Sequence, residues 1–89
     1  MPRRTLEIVN KLGLHARAAA QFVKVAGAFG ATVSVEKDGQ SIDGKSIMAV
    51  MMLAAARGAR ITVETEGADA EAALEAIAAL VADRFGEEV

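Results

Sequence analysis

Eighty-nine residues suffice for one compact core that buries roughly 60 to 65% of the unfolded chain's surface, and not for two. With 10 Lys and Arg against 12 Asp and Glu, and neither Trp nor Tyr to stack on bases, the chain lacks the footprint of a nucleic-acid binder. Although 53% of the residues are hydrophobic, many of these are Ala, and no uncharged run approaches the roughly 20 residues of a membrane-spanning helix, so a soluble protein without membrane insertion is expected. The lack of Cys excludes disulfides and thiolate metal sites. Met1 to Leu6 has no long apolar stretch or cleavage site behind Arg3 and Arg4, which makes the cytoplasm the expected compartment.

The first strand runs from Thr5 to near Val9, with Leu6 and Ile8 alternating against Thr5 and Glu7. From Ala16 to about Phe29, Ala19, Phe22, Val23 and Ala26 recur at helical spacing, and Gly30 closes this first helix. Val33 and Val35 alternate with Thr32, Ser34 and Glu36, and Asp38-Gly39 then supplies a favoured pair for a tight turn into Gln40 to Asp43, giving a hairpin. Ser46 is a good N-cap for a short second helix from Ile47 to about Ala55. Ile61, Val63 and Thr65 alternate with Thr62, Glu64 and Glu66 to form the fourth strand. Asp69 is the candidate cap of a long Ala-rich helix carrying Leu74, Ile77, Leu80, Val81 and Arg84 and stopping at Gly86. One-faced alternation in every strand predicts an α+β fold in two layers: a single antiparallel sheet with all helices on one side and no linker or repeat across 1–89.

His15 is the one histidine, placed where the first loop turns into the first helix. A lone histidine without HxxxH or HxH spacing speaks against a zinc site. A helix N-terminus, by contrast, offers unpaired backbone N–H groups and the positive end of the dipole, so an anion there is stabilised. Arg17 adds a guanidinium fork suited to phosphate oxygens. Phosphoryl transfer needs little beyond an aligned nucleophile and positive charge around the moving group, and the stretch from Gly13 to Arg17 supplies both. Local physics alone serves a plain helix-capping histidine and a solvated arginine as well.

Ile47, Met48, Met51 and Met52 are too many large apolar side chains for one narrow stripe on a short helix whose Val50 and Leu53 face the core. An exposed Met-rich patch repacks against several different surfaces. Ala20 and Lys24 of the first helix, with Arg17 and Lys45, are expected to border it and favour acidic partners, and Leu14 and Ala16 are counted with the same partner-binding surface.

The combination Gly13-Leu14-His15-Ala16-Arg17 with Gly44-Lys45-Ser46-Ile47-Met48-Ala49-Val50-Met51-Met52-Leu53, at this spacing, closely resembles HPr, the histidine-containing phosphocarriers of the bacterial phosphotransferase system. The likeness extends from Thr5 to about Arg84. It implies an open-faced sandwich with strand order 1-4-2-3 and three helices on one face. It also implies a phosphoryl group received from phospho-enzyme I on His15, stabilised by Arg17 and passed to an enzyme IIA domain in sugar uptake or nitrogen-related regulation. No cofactor and no turnover of its own are implied, and a monomer is the default. In many members of the family the serine at the Ser46 position is phosphorylated by HPr kinase/phosphorylase; such a mark would place close to two negative charges on the docking surface without unfolding the helix. Ala18 stands where the family usually has proline, which loosens the start of the helix without removing the nucleophile.

Two other readings stay open at this point. One is a regulatory or metabolite-binding module of the same two-layer class in which His15 is incidental. The other is an acylphosphatase-like hydrolase, which needs a group to position water; the only asparagine, Asn10, lies at the end of the first strand with no evident partner. HPr-like regulators that have lost the histidine are disfavoured by His15 itself.

Overall fold

A computed structural model describes residues Met1–Val89. The elements follow the expected order: β1 (Arg3–Glu7), α1 (Ala16–Gly27), β2 (Thr32–Lys37), β3 (Gln40–Asp43), α2 (Ile47–Met52), β4 (Arg60–Glu66) and α3 (Ala70–Ala82), with a 3₁₀ turn at Arg84–Gly86. The four strands form one antiparallel sheet in the order β1-β4-β2-β3. The expected fold is therefore the observed one.

Alternation places Ile8, Val33, Val35, Ile61 and Val63 on one face of this sheet, where they meet Phe22 and Ala19 of α1, Val50 of α2, and Leu74, Ile77 and Val81 of α3 in a single buried cluster. The opposite face is hydrophilic and open, with exposed hydroxyl pairs such as Thr5–Thr62 and Ser34–Ser41 bridging neighbouring strands. Asp38 and Gly39 both take positive φ, 52° and 82°, as the two-residue hairpin turn requires.

Boundaries shift where local hydrogen bonding overrides pattern. β1 begins and ends two residues earlier than the alternation suggested, because its ladder with β4 runs from Arg3–Glu64 to Glu7–Arg60. α1 stops at Gly27 rather than Phe29, since the N–H groups of Ala28 and Phe29 turn back to Val25 and Ala26, three residues behind them. α2 stops at Met52 rather than Ala55: Leu53 and Ala54 bond three residues back and Ala54 adopts φ 53°. α3 ends at Ala82, and Arg84 and Phe85, with φ of 56° and 55°, reverse the chain so that the Phe85 ring enters the core.

Asp69 is not the expected cap of α3. Its side chain makes no bond to the helix it precedes. Instead its carboxylate accepts from the backbone N–H of Gly30 at 2.9 Å and of Ala31 at 2.8 Å, tying the α1–β2 loop to the start of α3. The Gly30 bond above all, with those from Ala31 and its own N–H and the charge of Lys45, outweighs partial burial and holds its pKa below 3.8.

Candidate functional site

His15 caps α1. Its backbone is extended, φ −74° and ψ 179°, and its Nδ1 accepts a 3.3 Å hydrogen bond from the Arg17 backbone N–H. Gly13 sets this approach. At φ 67° it brings the loop against Ala55 so closely that a Cβ on residue 13 would lie 2.5 Å from the Ala55 carbonyl oxygen. Leu14 N–H donates to that same oxygen at 2.9 Å, fastening the start of α1 to the loop that follows α2.

The other side of the imidazole meets the end of the chain. His15 Nε2 is hydrogen-bonded to Glu87 Oε2, across 72 positions of sequence. Glu87 Oε1 accepts from Asn10 Nδ2 at 3.0 Å, and the same nitrogen donates to the Gly13 carbonyl at 2.8 Å. Burial opposes the charge on Glu87, but hydrogen bonds from Asn10 and His15 and the electrostatic attraction of the neighbouring His15 and Arg17 side chains prevail, so its pKa lies below 4.5. The arrangement opens into a cavity of about 820 Å³ lined by His15, Arg17, Gln21, Leu12 and the tail. The Arg17 guanidinium borders this cavity and is in no ion pair.

The structure thus brings His15 and Arg17 together, as expected, and adds Asn10 and Glu87, which no sequence pattern indicated. Asn10 had no evident partner in sequence; folded, it is fully buried with two. Ala18 is also fully buried, and α1 forms with it in place of proline.

Of the candidate docking residues, Met48 and Met52 are 72% and 70% exposed and Ile47 and Met51 44% and 40%, while Val50 and Leu53 are buried. Ala16, Ala20 and Lys24 are exposed on α1. Leu14 is not part of this surface: it is 5% exposed, drawn into the core by the turn that Gly13 and the Ala55 carbonyl impose. Lys45 is only partly free, because its Nζ donates to the Phe29 carbonyl at 2.9 Å. Ser46 caps α2, its Oγ accepting from Ala49 N–H at 3.2 Å. No cluster of His, Cys, Asp or Glu side chains is placed to hold a metal ion, and no helix is long and apolar enough to cross a membrane.

Known proteins match this arrangement over essentially its whole length. A family profile described as "PTS HPr component phosphorylation site" covers residues 2–83. The phosphocarrier protein HPr of Cupriavidus necator is 51% identical over 87 residues, 98% of each chain, and that of Pseudomonas aeruginosa 52% identical over 88 residues, again 98% of each. The crystal structure of HPr-C-His from Thermoanaerobacter tengcongensis superposes with a TM-score of 0.96 at 44% identity, covering 100% of both chains.

Proposed function

The chain belongs to the HPr family, the phosphocarriers of the phosphotransferase system, and from that premise we propose that it accepts a phosphoryl group from phospho-enzyme I on His15 and donates it to an enzyme IIA component. The observation that carries this reading is the pairing of His15 Nδ1 with the Arg17 N–H at the first turn of α1. A phosphoryl group formed on Nδ1 replaces that acceptor with its own oxygens, which the backbone N–H, the helix dipole and the Arg17 guanidinium stabilise. The cavity beside the ring, lined by both His15 and Arg17, is the space through which a donor phosphate would approach. The protein is a carrier without turnover of its own, one 89-residue domain acting as a cytoplasmic monomer in sugar uptake or nitrogen-related regulation.

Met48, Met52, Ile47 and Met51, with Ala16, Ala20 and Lys24, form the surface that meets both partners. Ser46 is the regulatory position for HPr kinase/phosphorylase. A phosphate there keeps the cap, because its oxygens accept from the first-turn N–H groups, but it sets close to two negative charges beside the Met patch. Ser46→Asp accordingly keeps the fold and slows transfer from enzyme I.

Intact-mass measurement after incubation with phosphoenolpyruvate, magnesium and a bacterial enzyme I tests the proposal. One acid-labile phosphate is expected on the wild type and none on a folded His15→Ala variant. No phosphate on the wild type, with a known carrier phosphorylated in the same tube, would turn the reading toward a regulatory module.

A further inference from the structure

The imidazole of His15 is held from both sides. Nδ1 accepts from the Arg17 N–H at 3.3 Å, so it must present a lone pair. Nε2 meets Glu87 Oε2, and an ionised carboxylate only accepts, so Nε2 must carry the proton. Two separate neighbours therefore specify one tautomer. Glu87 is in turn held by Asn10, whose Nδ2 donates to both Glu87 Oε1 and the Gly13 carbonyl while its Oδ1 has no protein partner. Turning that amide over would set an oxygen against two acceptors, so Asn10 can only donate. The tail reaches the ring through Arg84 and Phe85, both in a left-handed conformation that side chains seldom adopt, with the Phe85 ring anchored in the core.

We propose that Asn10 and Glu87 form a relay that reinforces the tautomer of His15 favoured by the Arg17 N–H, keeping the proton on Nε2 and the lone pair on Nδ1, and that Glu87 is thereby a positioning residue for phosphoryl acceptance. This rests on the carrier reading of His15. In the step, the Nδ1 lone pair forms the N–P bond while the bond from phosphorus to the donor breaks and its electron pair leaves with the donor. No proton has to leave Nδ1. The positive charge that the ring acquires lies against the Glu87 carboxylate, as an acidic partner stabilises an imidazolium in Ser-His-Asp triads.

Substitution separates this role from mere packing. In Glu87→Gln the Asn10 donor can be met only by the new amide oxygen, which turns the NH₂ toward His15 Nε2. That NH₂ needs a lone pair on Nε2 and drives the proton to Nδ1, the nitrogen that must attack. In Glu87→Ala the tail imposes neither form, and the Arg17 N–H still favours the lone pair on Nδ1. The near-isosteric glutamine is the more damaging change.

NMR of heavy-nitrogen-labelled histidine reads the tautomer without any partner protein, and transfer from phospho-enzyme I reads the consequence. The Nε2–H form is expected to dominate in the wild type and in Glu87→Ala. Glu87→Gln should shift toward Nδ1–H and accept phosphate about tenfold or more slowly than Glu87→Ala, the same wrong-tautomer effect that cripples amide-substituted triads. Adding Asn10→Ala to Glu87→Gln frees the amide to turn and should restore the Nε2–H form. A Glu87→Gln protein with wild-type tautomer and rate, or one faster than Glu87→Ala, overturns the relay. If the tautomer order holds but the wild type never takes phosphate, the relay stands and the carrier reading fails.

Discussion

Gly13 shows how much of the site depends on one missing side chain. At φ 67° a Cβ would be strained on its own account, and here it would also meet the Ala55 carbonyl oxygen at 2.5 Å and the Ala56 Cα at 2.9 Å. These are backbone atoms that no rotamer change can move. Gly13→Ala is therefore expected to destabilise the protein by about 1–3 kcal/mol and to slow phosphoryl acceptance, since the loop can relax only by loosening the Leu14–Ala55 bond that positions His15. Urea unfolding and a transfer assay on the same sample check both effects; a variant as stable as the wild type would show that the close approach carries no weight. At this scale His15, Arg17 and Ser46 were legible because each sits within two residues of a helix start, where the pattern of neighbours is local. Asn10 and Glu87 were not. Their partners lie 3 and 77 positions away for Asn10 and 72 away for Glu87, and the reversal at Arg84 and Phe85 that joins them follows no periodicity. The available hint was a lone asparagine between an apolar strand and a glycine turn, a residue that must find partners once buried.

Between elements, the side chains that fix helix starts divide into those that cap and those that clamp. Ser46 caps α2 through a single hydrogen bond to Ala49 N–H, so Ser46→Ala should lower stability by about 1 kcal/mol, measurable by urea unfolding, whatever its effect on signalling. Asp69 was read as a cap from its position before α3, yet it clamps the α1–β2 loop instead. That outcome needs tertiary contact, which helix-start signals do not contain. Because its folded pKa is depressed below the unfolded value near 3.8, the stability it contributes is present above that pH and is lost as pH falls through the folded value. Asp69→Asn should thus be less stable than the wild type at neutral pH, and the difference should vanish in acid below the folded pKa. Denaturation midpoints measured from neutral pH downward test this; a gap that stays constant with pH would mean that the charge on Asp69 is not what the clamp uses. Element order and the sheet's single buried face were readable beforehand, since strict alternation leaves only one register that buries Val33, Val35, Ile61 and Val63 together, whereas the strand order 1-4-2-3 was implied by the resemblance to HPr and not by the alternation itself.

For the molecule as a whole, apolar side chains are spent in two ways that mutation can tell apart. Phe22 is fully buried between α1 and the sheet, and Phe22→Ala should remove about 3–5 kcal/mol, a large part of the roughly 5–15 kcal/mol that holds a small domain together. Met48 and Met52 are of comparable hydrophobicity but lie 72% and 70% exposed on a helix whose core contact is already made by Val50. Stability gives no reason for them there, whereas the proposed docking of one flexible thioether surface to more than one partner protein does. Replacing both, Met48→Ser with Met52→Ser, should therefore change unfolding stability by no more than about 0.5 kcal/mol. Affinity for enzyme I should nevertheless fall about tenfold, the loss expected when anchors near the centre of an interface are cut back. Titration of enzyme I alongside urea unfolding reads the two numbers separately. Lost stability with unchanged affinity would reverse the assignment and make the methionines part of the fold; unchanged values of both would leave the charged rim of Arg17 and Lys24 as the surface that partners recognise.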